Sequence, residues 1–298
     1  MNLPITVLIA ARHEAANIAR CLAALTPAAR VILLDSHSTD DTAKIAREHG
    51  AEVMQFDYAG GYPKKRQWAL DTLGLDRSWV LLLDADEVVP AALWQEMEQV
   101  LRPVGDLAPR GDAPSKATGP EAFLIRKEFH FLGRRFRFGG FSHQAVLLFR
   151  ADRARFERLL EDDPSGFDME VHERVIVDGP IGVLRVPLIH EDFKGLDAYR
   201  ERHHRYATWE AAVRHRFLTT GRYGESSIEP RLLGNAQERR RWLKKVVIRL
   251  PLEPLIWFAW HYFVRLGFLE GRPGFIACRI RAQYIAEVRR NLRTLSAP

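Results

Sequence analysis

The chain has 298 residues, is 47% apolar and 28% charged, and carries a formal charge of +6. That is ordinary for a folded globular protein of one large domain or one domain with an appendage. Its two cysteines, Cys21 and Cys278, lie far apart, which excludes a disulfide framework or a clustered zinc site and suits a reducing compartment.

The opening "MNLPITVLIAARHEAAN" has no basic leading region, and its apolar run is too short for a secretory signal. "ITVLIAA" therefore reads as a first buried strand, and "EAANIARCLAAL" as a helix with Ile18, Leu22 and Leu25 on one face. "RVILLDS" is a second strand. "STDDTAKIAREHG" is a helix that Ser38 or Thr39 would cap and Gly50 would stop. "AEVMQFD", a helix from "YPKKRQWALDTL" and the strand "WVLLLDADE" follow. Strands alternating with helices predict a mostly parallel sheet whose function sits at the carboxyl ends of its strands. A Pro-, Gly- and Ala-rich linker at 103–120 comes next. "AFLIRKEFHFLGRRFRFGG" and "HQAVLLFR" read as strands, and "VIVDGPIGVLRVPLIH" as further strands or a hairpin. From about 196 the pattern is helical to the end.

Acids gather at the predicted strand ends. Asp84, Asp86 and Glu87 close the fourth strand, Asp35 closes the second, and Arg12 and Glu14 follow the first. An Asp-x-Asp after a buried strand suits Mg²⁺ or Mn²⁺, which takes one or two carboxylates and completes its shell with water and phosphate oxygens. A strand-terminal turn with its acids in water is the plain alternative. Lys64, Lys65 and Arg66 are placed to meet a diphosphate. No Gly-x-Gly-x-x-Gly and no Gly-Lys-Ser/Thr loop is present, which argues against a dehydrogenase and a P-loop NTPase. His190, after "VLRVPLIH", reads as a third metal ligand, a diphosphate contact or a structural histidine.

In order and spacing, "ITVLIAARHEAANIARCLAAL", "VILLDSHSTDDTAKIAREHGAEV", "KKRQWAL" and "WVLLLDADE" resemble family 2 glycosyltransferases. "RFGGFSHQAVLLFR", "VHERVIVDG" and "LIHEDFKGLDAYRERHHRYATWEA" extend the resemblance more loosely, toward bacterial enzymes of lipopolysaccharide core and envelope glycans. The resemblance implies a GT-A fold: a Rossmann-like, mostly parallel α/β sheet with helices on both faces, plus a C-terminal helical extension. Residues 1–195 would form the catalytic domain, with 1–100 as its nucleotide-sugar half and 121–195 as its acceptor half. Residues 196–298 would form the helical region. Ala10, Arg12, Glu14, Asp35, Lys65, Arg66 and Asp84 would line the nucleotide pocket. Asp84, Asp86 and His190 would hold Mg²⁺ or Mn²⁺, and Glu173 would be the catalytic base, with Glu170 as its alternative. The donor would be a UDP-sugar and the acceptor a glycan or lipid-linked hydroxyl. Two positions depart from the family pattern: Ser36 stands where a second acid is usual, and Gln67 where an Asn is.

From Arg231 onward there are fourteen Lys and Arg against four Asp and Glu, whereas the first 230 residues carry 30 basic and 34 acidic residues. A basic tail calls for an anionic partner or forms a solvated helix face. Arg239–Arg241, Lys244, Lys245 and Arg249 beside Trp257, Trp260 and Tyr262 suit a helix lying on an anionic leaflet. That would place the chain in the cytoplasm, peripheral at the inner face of the membrane. A packing subdomain is the competing reading. The eleven-residue charge-free run Pro254 to Val264 is too short to span a bilayer. A nucleotidyltransferase and a nucleic-acid binder are the remaining alternatives. The first lacks its Gly-rich loop, and no nucleic-acid-binding motif is present.

Overall fold

The computed structural model describes residues 2–75, 78–101, 119–160, 166–168 and 174–296. Strand β1 (Leu3–Ala11) is buried at every position except its second. Its apolar run is continuous because it has neighbours on both edges and helices on both faces. It pairs in parallel with β2 (Ala28–Asp35) on one side and β4 (Trp79–Asp84) on the other. β3 (Glu52–Gln55) extends the parallel set beyond β2.

On the far side of β4 the sheet turns mixed. β8 (His143–Arg150) runs antiparallel between β4 and β6 (Ala122–Phe131). β12 (Leu188–Glu191) lies parallel to β6, and the two-residue β5 (Glu87–Val88) closes the edge. The full order is β3-β2-β1-β4-β8-β6-β12-β5. Two short strands, β7 (Arg134–Arg135) and β11 (Ile181–Val183), also pair with β6, while β9 (Ala154–Phe156) and β10 (Val175–Val177) form a separate ribbon. The stretch "VIVDGPIGVLRVPLIH" is thus three strands, one pairing with β9 and two with β6, rather than a hairpin.

The pleat sorts the core into two layers. Ile5, Val7, Ile9 and Ala11 of β1 face α1 (Ile18–Ala23), α2 (Thr42–Glu48) and α4 (Ala91–Leu101). Leu8, Ile32 and Leu34 face α3 (Lys65–Thr72) and the β9–β10 ribbon. The α/β sheet with helices on both faces, expected from the sequence, is present. The predicted linker falls largely on residues 102–118, outside those described. One helix start differs: α2 begins at Thr42 because Ser38 hydrogen-bonds Asp35, leaving Asp40 to accept from the Thr42 backbone at 3.1 Å.

The C-terminal region is helical, as its pattern predicts. It comprises α5 (Leu196–Thr220), α6 (Ala236–Val247), α7 (Glu253–Ala259), a π-helical turn at Trp260–Val264, a 3₁₀ turn at Gly267–Glu270 and α8 (Gly271–Leu295). Ala207 and Ala211 of α5 admit Tyr284, Ile285 and Val288 of α8. Phe129, Phe131 and Phe136 pack against Ala277 and Ile280, which locks this layer to the sheet. Arg214 is buried between Glu210 and Glu253, and Lys244 and Arg289 add further ion pairs. Arg241 is also buried, paired with Glu157. Two of the cations expected to face outward, Arg241 and Lys244, therefore hold the layer together instead. Among the described residues no helix is long and apolar enough to cross a membrane.

Candidate active site

The parallel register sets the site. Ala10 lies opposite Asp84 on one neighbour, and Ala11 opposite Asp35 on the other. The two acids therefore flank the carboxyl end of β1. Asp35 is wholly buried and accepts from Ser38 Oγ at 2.5 Å and Gln55 Nε2 at 2.9 Å. Arg12 stands exposed just past the strand. Glu14 accepts from Lys194 Nζ at 2.5 Å and Asn17 Nδ2 at 2.9 Å. Burial is the largest influence on Glu14 and pushes its carboxyl up against the pull of Lys194.

The start of α3 points its cations at these strand ends. Lys65 is wholly buried, and its Nζ donates to Ala11 O at 3.1 Å and Ser36 Oγ at 2.6 Å. Burial lowers its ammonium, while an ion pair with Asp168 at 3.0 Å favours the charge. Ser36 also donates to Asp168. An acid from elsewhere in the chain thus stands beside the position where the family pattern has one and this sequence has serine. Burial opposes the charge on Asp168, but Lys65, Ser36 and Arg12 hold its carboxyl below the usual range. Gln67 serves the fold, accepting from the Phe156 backbone at 2.8 Å and so fixing β9.

Asp84 receives Arg66 at 2.5 Å on one oxygen and Lys127 at 2.9 Å on the other. Lys127, from β6, also pairs with the wholly buried Glu87 at 2.6 Å. Burial opposes the charge on Asp84, but Lys127 and Arg66 outweigh it and hold the carboxyl well below the usual range. Glu87 is pushed up to about 7, mainly by burial and against the pull of Lys127. The antiparallel pair β5–β12 sets Glu87 opposite His190, and His190 Nε2 lies 3.3 Å from Asp86. Burial alone would lower the imidazole, but Asp86 and Glu87 prevail and raise it to about 9. The ring is therefore a cation near neutral pH and donates to Asp86. Arg202 of α5 bonds Asp192 at 2.8 Å and lies within electrostatic reach of Asp86 and Glu14.

Of the sequence-predicted residues, Ala10, Arg12, Glu14, Asp35, Lys65, Arg66, Asp84, Asp86 and His190 all lie at this rim. Glu173 and its alternative Glu170 fall outside the described residues. Among the described residues, no three His, Cys, Asp or Glu side chains are arranged to hold a metal ion. A Mg²⁺ or Mn²⁺ ion that keeps water and phosphate oxygens needs only one or two carboxylates. Asp86 fits that role, since its side-chain contact to His190 is long; both oxygens of Asp84 are already held by cations. Lys127, Asp168 and Arg202 were not singled out by sequence reasoning. Lys127 carries a weak signal, a charge inside an apolar strand. Asp168 carries none.

Residues 6–143 match the model of the family described as Glycosyl transferase family 2. An uncharacterized glycosyltransferase of Rickettsia felis is 36% identical over 97 residues, 32% of this chain and 33% of that protein. The lipopolysaccharide core biosynthesis glycosyltransferase LpsC of Rhizobium meliloti is 23% identical over 217 residues, 70% of this chain and 71% of that one. A solved structure of glucosyl-3-phosphoglycerate synthase from Mycobacterium tuberculosis, in complex with Mn²⁺, UDP and glucosyl-3-phosphoglycerate, is 25% identical with a TM-score of 0.28, covering 41% of this chain and 43% of that one. The chain spans 22% and 33% of the length of two of the curated relatives it matches. The strand-end acids and the α3 cations fall inside the matched region, and through residues 6–143 the chain is similar to the family 2 glycosyl transferases.

Proposed function

We propose that the chain is an inverting glycosyltransferase. It takes a sugar from a nucleotide-sugar, UDP-linked, and passes it to a hydroxyl of an envelope glycan or lipid-linked acceptor of the lipopolysaccharide-core kind, at the inner face of the cytoplasmic membrane. The observation that carries this reading is the convergence of Asp84 and Asp86 with Lys65, Arg66 and Lys127 at the carboxyl ends of adjacent strands. Acids placed among cations suit a ligand with both hydroxyls and a diphosphate. The family match supports the donor class, and the LpsC relative supports the acceptor class.

In this reading residues 1–195 hold donor and acceptor, and 196–298 back them. Ala10, Arg12, Asp35 and Asp168 border the nucleoside, and Ala10 leaves room for it. Arg66 and Lys127, already seated on Asp84, place positive charge where the departing diphosphate develops negative charge. A bound Mg²⁺ or Mn²⁺, held through Asp86, would add Lewis-acid charge at the same leaving group. His190 and Arg202 help hold Asp86 ionised, and His190 also orients it. Glu173 is assigned as the base that takes the acceptor's proton, by its place in "VHERV".

The test is a nucleotide-sugar panel read by release of free nucleoside diphosphate, paired with calorimetric titration of UDP with and without Mn²⁺. Wild type should bind UDP more tightly with Mn²⁺ and slowly hydrolyse one UDP-sugar. Asp86→Ala should lose the Mn²⁺-dependent gain while keeping its fold. Wild type that binds no nucleoside diphosphate under either condition overturns the reading. A mutant with unchanged Mn²⁺ dependence removes Asp86 from the metal site.

A further inference from the structure

Between α6 and the body of α8 the chain does something that apolar sequence seldom does: it stays outside. Leu252, Leu255, Trp260, Phe263, Val264 and Phe268 are 43–66% exposed. An exposed apolar patch of this kind marks an interaction surface. The segment is not a loose tail. Phe258, Tyr262, Phe263 and Phe275 pack on one another with ring centroids 5.1–6.1 Å apart. Leu252 and Leu266 adopt left-handed backbone (φ 54° and 58°), and each precedes a new helical turn. The chain is folded into a blunt knob whose outer side is apolar.

Its charges are sorted. From 250 to 286 there are two acids, Glu253 and Glu270. Both face inward: Glu253 pairs with Arg214 and Arg289, and Glu270 pairs with Arg134 and accepts from the Arg137 and Phe138 backbones. Arg249, Arg265, Arg272 and Arg279 are exposed. This part of the surface therefore presents hydrocarbon and positive charge with no exposed acid.

We propose that the knob formed by residues 250–275 is a wedge that inserts into an anionic phospholipid leaflet, its apolar side chains entering the headgroup–acyl boundary and the flanking arginines meeting lipid phosphates. A second copy of the chain is the poorer occupant, because a two-fold contact on this face would bring arginines against arginines with no acid to pair them. The wedge also replaces the basic face of α6 as the main anchor, since Arg241 and Lys244 are paired inward. The inference rests on the glycosyltransferase reading only for what the membrane delivers, a lipid-linked acceptor. Insertion itself needs no nucleotide.

The experiment is flotation of the full chain with vesicles of equal parts phosphatidylglycerol and phosphatidylcholine, without nucleotide. Wild type should float, and added salt should weaken but not abolish binding, because apolar burial is not screened. Trp260→Ser with Phe263→Ser should reduce the bound fraction by roughly tenfold or more, given the burial lost by two aromatic side chains. Its melting temperature and UDP titration should match wild type. The tryptophan emission that Trp260→Phe removes should be quenched by brominated lipid. Three results overturn the proposal: wild type that stays at the bottom of the gradient, a double variant that floats as well as wild type, or Trp260 emission open to an aqueous quencher in the presence of vesicles. A dimer in light scattering that the same double variant dissolves would reassign the face to self-association. UDP binding measured on the same samples shows separately whether the donor reading stands.

Discussion

Asp168 and Lys65 meet from positions about a hundred residues apart, and neither is legible alone. Lys65 is wholly buried, with Asp168 as its carboxylate partner. Removing one member of a buried pair strands the other charge, which typically costs about 3–5 kcal/mol. Asp168→Ala should therefore lower stability by about 3 kcal/mol, at the low end because the acid keeps some solvent access. Lys65→Met in the same background should recover most of that loss. Urea denaturation of the two single variants and the double closes the cycle. A loss under about 0.5 kcal/mol in the single acid variant would show that Ala11 and Ser36 suffice for the ammonium. Asp84 and Asp86 were legible because a long apolar run cannot end in acids without a reason. Asp168 was not, because a carboxylate that completes a site from a distant segment leaves no periodicity around itself.

Elements tell a similar story with different causes. The N-terminal strands and helices were readable from composition, since a strand with neighbours on both edges and helices on both faces must be apolar throughout. The later strands were harder: β10, β11 and β12 are short, and β10 joins β9 in a separate ribbon while β11 and β12 both join β6, which local pattern does not encode. The C-terminal helices were readable as helices, but the inward turn of Arg241 and Lys244 was not, because periodicity does not say which buried acid waits on the other side. That layer also carries a pH dependence. His203 is lowered to about 4 by burial, with Arg281 and Arg202 nearby, and it lies among Tyr199, Tyr206 and Tyr284. His261 is lowered to about 4 by burial, with Arg265, Arg281 and Arg240 adding to it, and it stacks on Trp257 at 3.9 Å. Because the folded values lie below the unfolded one of about 6.5, the unfolded chain binds more protons between the two. Stability is therefore fully retained above about pH 6.5 and is lost as pH falls toward 4. Melting midpoints measured across that window should fall for wild type and fall less for His203→Asn with His261→Asn. Equal slopes would show that other groups carry the acid sensitivity.

For the molecule as a whole, local structure changes at residue 195, and contacts cross that division. Phe129 and Phe131 of β6 pack on Ala277 and Ile280 of α8, and Arg202 of α5 reaches Asp192 beside the site. A chain ending at 195 would expose that phenylalanine cluster and lose Arg202. It should be insoluble or molten, with no measurable UDP affinity, and its near-ultraviolet circular dichroism should show this directly. A truncated chain that is monomeric, well folded and binds UDP would make residues 196–298 a true appendage.

Phe129 and Phe141 together link both ends of this arrangement. Its ring lies edge-on to His190 at 6.0 Å and stacks with Phe141 at 5.3 Å, and Phe141 in turn meets Trp257 of the exposed knob at 6.0 Å. An aromatic column thus joins the strand-end site to the part of the surface proposed to enter lipid. With such a column the strand-end site would be held at a constant height above the bilayer, as on a fixed stand. Acceptor choice would then become partly a matter of reach: a hydroxyl too close to the headgroups, or too far out along a grown chain, would miss the site whatever its chemistry.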